Sequence, residues 1–271
     1  MAREHPVLAI DIGGTKVAAG LVEPGGRLAS WAQTETPRGL EAEQLWRTLE
    51  VLCERLLAEA RVDERTGLAG VGCGCGGPME WPAGRGRRSM LGMVVSTGVG
   101  GGLVLDGRLI NGPTGNAGHI GHVVVDPGGP FCVCGGRGCL EAIARGPALV
   151  AWAQGEGWRP GQSPVTAKDL ADDAAQGHPV GIAAMRRAGG ALGIAIASAT
   201  HLCDLEVVAI GGGLAQAGPL LFEPLEEALR THVGLAYARD VPVVPAALGQ
   251  SAGLIGAAAL IFAADRYWAG G

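Results

Sequence analysis

Val7-Leu8-Ala9-Ile10-Asp11-Ile12-Gly13-Gly14-Thr15-Lys16-Val17-Ala18-Ala19-Gly20-Leu21-Val22 decides how the chain is read. Two apolar runs, Val7 to Asp11 and Val17 to Val22, are strand-length and flank a turn of two glycines, a hydroxyl and a cation. The glycines let backbone N–H groups point at an anion with no Cβ in the way. Thr15 adds a donor and Lys16 a positive charge, and Asp11 is suited to hold magnesium (Mg2+) through water. An ordinary Gly-Gly hairpin turn, with Asp11 bonding its own backbone, explains the same residues.

Outward from this turn, Gly25-Gly26 leads into a third strand around Leu28 to Trp31. Leu45, Leu49, Leu52 and Leu56 recur with helical spacing, which predicts an amphipathic helix over Glu41 to Ala60. Leu68 to Cys75 and Met90 to Thr97 read as buried strands, and Gly101 to Leu109 as a hairpin turning at Asp106-Gly107. Helical patterns follow at Leu140 to Gln154, Ala167 to Gln176, Val180 to Leu202, Leu220 to His232 and Ser251 to Ala264. Glu206 to Ile210 and Val241 to Val244 are strands among them. The alternation predicts an α/β protein with largely parallel sheets.

A chain of 271 residues suits about two domains, and 48% hydrophobic residues supply a core for each. A net charge of -5 argues against nucleic acid as a partner. The one basic cluster, Arg85, Arg87 and Arg88, reads as a solvated loop. No run reaches the roughly 18 apolar residues that span a bilayer, so no membrane is expected as a partner. Met1 to Pro6 is charged and passes directly into a strand, unlike a signal peptide, so a cytoplasmic location is expected.

Ser96-Thr97-Gly98-Val99-Gly100-Gly101-Gly102 is a second turn rich in free N–H donors, again leaving a buried strand. A bulge or hairpin uses the same residues, but two such loops together suit a triphosphate gripped from two sides. Gly211-Gly212-Gly213 offers bare backbone to a planar adenine, or else serves as a strand-to-helix turn. His122, Cys132, Cys134 and Cys139, spaced H-x9-C-x-C-x4-C, suit a closed tetrahedral structural zinc (Zn2+). Seven cysteines with three packed together favour metal over disulfides in a reducing compartment. Cys53, Cys73, Cys75 and Cys203 lie in apolar contexts and read as core.

Ala9 to Lys16, Val95 to Gly102, Gly118-His119-Ile120-Gly121-His122 and the block Cys132 to Glu141 together resemble the ROK family of sugar kinases and regulators. The resemblance runs over nearly the whole chain in order, and the cysteine block is its most specific part. It implies an actin-like, hexokinase-type fold of two α/β lobes, with ATP and sugar in the cleft between them. The expected lobes are residues 1–88 plus 253–271, and 89–252 with a zinc loop at 118–141. Asp11, Gly13, Gly14, Thr15, Lys16, Thr97, Gly98 and Gly100 would hold phosphates, and Gly211, Gly212 and Gly213 would meet the adenosine. His122, Cys132, Cys134 and Cys139 would bind zinc, and His119, His122 and Glu141 the sugar. A homodimer or homotetramer stays open. No helix-turn-helix precedes Val7, which sets aside the family's DNA-binding repressors.

Two departures qualify the resemblance. His119 stands where most members have a sugar-binding Glu, and the Gly-His-Ile-Gly-His stretch is similar to the N-acetylmannosamine kinase branch. A neutral imidazole both donates and accepts, so it can still recognise hydroxyls. Between Pro78 and Met90 the family has an Asn-containing sugar loop, a strand ending in Asn-Asp and a helix, and that Asp is the general base. This chain has eleven residues there, Met79 to Ser89, and none matches. Glu80 beside a proline and Asp106 in a hairpin turn are poor substitutes. A parallel crossover needs about a dozen residues or more. Either the first lobe lacks a strand and helix and exposes an edge, or a stretch belonging there is missing from the sequence. The expectation is a sugar kinase with weak or absent turnover, the alternative a non-catalytic sugar- or nucleotide-binding protein.

Overall fold

A computed structural model describes residues 5–13, 16–36, 42–62, 67–74, 86–161 and 164–264. The chain divides into two compact units, residues 1–81 with 248–271, and residues 82–247.

In the first unit, β1 (Val7–Ile12), β2 (Lys16–Val22), β3 (Leu28–Glu35) and β4 (Gly70–Gly74) form a sheet in the order β3-β2-β1-β4. β1 and β2 pair antiparallel across their short turn, and β4 runs parallel to β1. The two-residue period of a strand sends alternate side chains to opposite faces. Val7, Ala9, Ala18 and Val22 pack on one face against Leu254, Ala257 and Ala258 of α7 (Ala252–Phe262). Leu8, Ala19 and Leu21 pack on the other against Leu52, Leu56 and Leu57 of α1 (Ala42–Ala60). Among the described residues β4 is the last strand of this sheet.

In the second unit, β5 (Met90–Val95), β6 (Val99–Leu105), β7 (Arg108–Ile110), β8 (Val207–Gly211) and β9 (Val243–Pro245) form a sheet in the order β7-β6-β5-β8-β9. Both sheets are therefore mixed rather than largely parallel. Each opens with strands joined by turns too short for a crossover, and such strands can only pair antiparallel. The β6–β7 turn is the expected Asp106-Gly107, with φ of 52° and 77°, the left-handed pair that a two-residue hairpin requires. β4 and β5 lie in different sheets. The segment expected to break the family pattern lies largely outside the described residues, as do Cys75, Glu80 and Arg85.

The second unit's core is built around α5 (Pro179–Cys203), with α2 (Leu140–Ala144), α3 (Gly146–Gly155), α4 (Ala167–Ala175) and α6 (Pro219–His232). By length and composition α5 could cross a bilayer, contrary to the expectation that no segment would. Its Ala184, Met185, Ala188, Leu192 and Ile196 are fully buried in the core, which is where its apolar character is used. α6 approaches it closely. A methyl group on Gly193 would stand 2.5 Å from the Leu225 carbonyl oxygen.

The expected single helix over Leu140 to Gln154 is two helices, broken at the extended Arg145 (φ -67°, ψ 147°). Pro147 explains the break. In an uninterrupted helix its ring would collide with the carbonyl four residues back, whereas in the first turn of α3 its missing N–H does no harm.

Candidate functional site

The β1–β2 turn is closed by the Gly13 N–H donating to the Lys16 carbonyl at 2.9 Å. The Thr36 hydroxyl donates to the Gly13 carbonyl at 2.7 Å, tying the turn to the end of β3. Gly14 and Thr15 lie outside the described residues. Asp11 is opposite Ala18 on β2 and Gly74 on β4, and its carboxylate rests against Gly253 in the first turn of α7. Burial pushes the Asp11 carboxyl above its ordinary value, and the Lys16 ammonium partly offsets this. The Lys16 ammonium and the N-terminus of α7 favour the ionised form of this half-buried acid, the form that a hydrated metal ion would need.

In the second unit two of the glycine runs meet. Ser96 N–H donates to the Gly98 carbonyl at 2.8 Å, making a tight turn between β5 and β6 with Thr97 at its tip. Gly100 already belongs to β6, opposite Val94. Gly211 ends β8, also opposite Val94, and Gly212 follows with φ of 93°. A side chain at Gly212 would overlap the Val95 backbone, so only glycine lets the two turns lie side by side. Both sit at the carboxyl ends of neighbouring parallel strands, where open α/β sheets bind ligands.

His122, Cys132, Cys134 and Cys139 converge, with their ligand atoms all within 4.8 Å of one another. The Cys134 and Cys139 sulfurs are 3.8 Å apart, and Cys132 Sγ is 3.7 Å from His122 Nδ1. A tetrahedral ion with 2.3 Å bonds to sulfur needs an S–S edge of about 3.8 Å, so the set fits a closed four-coordinate site. The surrounding chain is tightly turned: Cys132 N–H donates to Gly136 O at 2.8 Å, and Val125 N–H to Gly138 O at 2.9 Å. Burial and the neighbouring thiols push Cys139 up to about 12, while the Gly136 N–H draws Cys134 down. A thiol held that high loses its proton to solvent readily only when a metal cation beside it stabilises the thiolate.

Glu141 is half-buried in the first turn of α2 and accepts a hydrogen bond from Val99 N–H at 3.0 Å. His119 is exposed, its ring 4.7 Å from that of His122. Arg145 is a residue that sequence reasoning missed. Its Nε is buried with no hydrogen-bond partner among the described residues, and it directly precedes Gly146, whose N–H donates to Ser96 O at 2.8 Å. A buried guanidinium nitrogen beside a glycine-rich turn suits an anionic ligand. Pro147 was the available signal, because it forces the helix to break at this position. Asp106, by contrast, is exposed and paired with Arg88 at 2.8 Å.

The family model described as ROK family matches residues 78–264. A glucokinase of Thermotoga maritima is 37% identical over 190 residues, which take in 66% of this chain and 60% of that protein. An N-acetylmannosamine kinase of Yersinia pseudotuberculosis is 35% identical, with 93% of this chain and 96% of the relative covered. That alignment runs over 289 positions, more than the 271 residues of this chain, so the relative carries residues that this chain lacks. A crystal structure of a ROK family glucokinase from Streptomyces griseus, in complex with glucose and AMPPNP, superposes with a TM-score of 0.79. It shares 26% identity, and the match covers 94% of this chain and 98% of that one.

Proposed function

This chain belongs to the ROK family, and from that premise we propose that it binds ATP with a hexose or an N-acylhexosamine and is built for phosphoryl transfer between them. The observation that carries the reading is the meeting of the Ser96–Gly98 and Gly211–Gly213 turns at the ends of β5 and β8, joined through Glu141 to the Cys/His cluster.

In this reading Thr97, Gly98 and Gly100 offer donors to a phosphate, and in the first unit Gly14, Thr15 and Lys16 do so around the turn that Gly13 closes. The Gly211–Gly213 backbone gives the adenosine a flat surface without side chains. Asp11 holds hydrated Mg2+, which neutralises phosphate charge when bound. His122, Cys132, Cys134 and Cys139 hold Zn2+, whose part is to fix the loop bearing His119 and Glu141 against the sugar hydroxyls. ATP chemistry of this kind belongs in the cytoplasm. The Gly-His-Ile-Gly-His stretch and the 35% identical relative named for N-acetylmannosamine both point toward an N-acylated hexosamine.

Attack by a sugar hydroxyl wants a carboxylate in reach to take its proton, a contribution of about 10²–10⁴ in rate. No described residue matches the family's base: Asp11 faces α7 and Asp106 pairs with Arg88, while Glu141, which accepts from Val99 N–H, is assigned here to binding the sugar rather than to taking its proton. We therefore expect binding of both ligands with turnover reduced by about 10²–10⁴ relative to ROK kinases that carry the base. The shortfall of this chain against its longer alignment supports a second reading, a sugar- and nucleotide-binding protein without turnover.

The test combines thermal shift with sugar and Mg-ATP and a coupled ADP-release assay over glucose, N-acetylglucosamine and N-acetylmannosamine. Binding with slow product supports the impaired kinase, and binding with none supports the second reading. Brisk phosphorylation would refute the missing-base argument, and failure to bind nucleotide would refute both.

A further inference from the structure

The turn between β5 and β6 is supported from outside by the segment that carries the four cluster residues. Glu141, two residues after Cys139, accepts from Val99 N–H at 3.0 Å. Gly121, directly before His122, packs so closely on the Val99 carbonyl that a methyl group there would collide with it. Gly146, which opens α3, donates from its N–H to Ser96 O at 2.8 Å. These three contacts fall on Ser96 and Val99, the two ends of the turn. Between them the turn's own backbone bond is Ser96 N–H to Gly98 O.

We infer that Glu141 is a positioning residue for the nucleotide: by holding Val99 N–H it sets the shape of the Ser96–Gly98 turn and so couples occupancy of the Cys/His cluster to nucleotide affinity. This rests on the kinase reading above and deepens it. A glycine-rich turn presents its N–H groups to phosphate in only a few of its many conformations, and a turn without support must be ordered when the ligand binds. The Glu141 bond is charge-assisted and half-buried, which makes it the strongest of the three supports. α2 begins immediately after Cys139, so anything that fixes Cys139 also fixes the stem from which Glu141 reaches. A carboxylate has room for several donors, so holding Val99 leaves Glu141 able to meet a sugar hydroxyl as well. Coupling of this kind is reciprocal: metal raises nucleotide affinity, and nucleotide slows metal loss.

Two measurements on the full, zinc-loaded chain without sugar test this. Calorimetric titration with Mg-AMPPNP should find E141A about tenfold weaker than the parent, with E141Q recovering most of the loss because its amide oxygen still accepts from Val99. Zinc release to a chromophoric chelator should be slowed by AMPPNP in the parent chain. Unchanged AMPPNP affinity in a folded E141A would overturn the inference and leave the kinase reading standing. Should E141A fail to fold, the parent alone decides, because zinc release indifferent to bound AMPPNP overturns the coupling. A parent chain that binds no AMPPNP defeats the nucleotide reading itself, and the inference with it.

Discussion

The Asp11 carboxylate is seated on the Cα of Gly253, so closely that a methyl group there would overlap both of its oxygens. β1 and the first turn of α7 thus define one position for the acid. Gly253→Ala should displace the carboxylate while keeping the fold, since alanine is the better helix former by about 1 kcal/mol. The expected outcome is about tenfold weaker Mg-dependent nucleotide binding, by calorimetry, with little change in Tm.

Asp11 also sets a pH dependence. Burial raises its folded-state value above the ordinary 3.8, with Lys16 opposing. The stability it contributes is full below 3.8 and is lost as pH rises through the raised value. Asp11→Asn, neutral at every pH, should therefore be more stable than the parent at about pH 7, and the difference should shrink as the solution is acidified toward the carboxyl range. Urea midpoints measured across that range provide the check. A parent more stable than the variant at neutral pH would contradict it.

Removing one cluster ligand should unmake the site. Cys139→Ser is expected to lose bound zinc, measured by elemental analysis, and to lower Tm by roughly 10 °C, because structural zinc contributes folding free energy directly. The parent treated with a strong chelator should fall to a similar Tm.

Asp106 tests the assignment of the missing base. It is 79% exposed and bonded only to an equally exposed Arg88, a pair of small energetic consequence. Asp106→Asn should leave any residual ADP release within about twofold of the parent. A loss of about a hundredfold or more would make Asp106 the base after all.

Gly193 carries a prediction of stability alone. Alanine in a helix interior ordinarily helps, but here it would press on the Leu225 carbonyl at 2.5 Å and the Ala228 Cβ at 2.7 Å. Gly193→Ala should cost about 2 kcal/mol, or roughly 5 °C in Tm, as α5 and α6 are forced apart.

Features carried by neighbouring residues were legible in the sequence. Asp106-Gly107 marked its hairpin, the leucines of α1 marked their buried stripe, and the short spacing from Cys132 to Cys139 marked the cluster. Features depending on distant parts of the chain were not. The Glu141 bond to Val99 joins residues 42 apart with no shared periodicity, and the seat of Asp11 on Gly253 spans almost the whole chain. The apolar length of α5 reads the same for a bilayer as for a protein core, and only packing separates the two. Mixed pairing in both sheets followed from turn lengths that were visible but outweighed by the overall alternation of strands and helices. At Arg145 the signal was present in Pro147, and the leucine and alanine pattern on either side obscured it.

The first unit's sheet is covered by α7, which is made more than 200 residues after β1 and β2. On a ribosome, Val7, Ala9, Ala18 and Val22 emerge long before Leu254, Ala257 and Ala258 exist to cover them. At about 5–20 residues per second, that face waits roughly 10–50 s. The second unit lies wholly within the interval and has its own core, so it can fold first. Until α7 is made that face of the nascent sheet stays wet, and removing α7 would leave the greasy surface permanently bare.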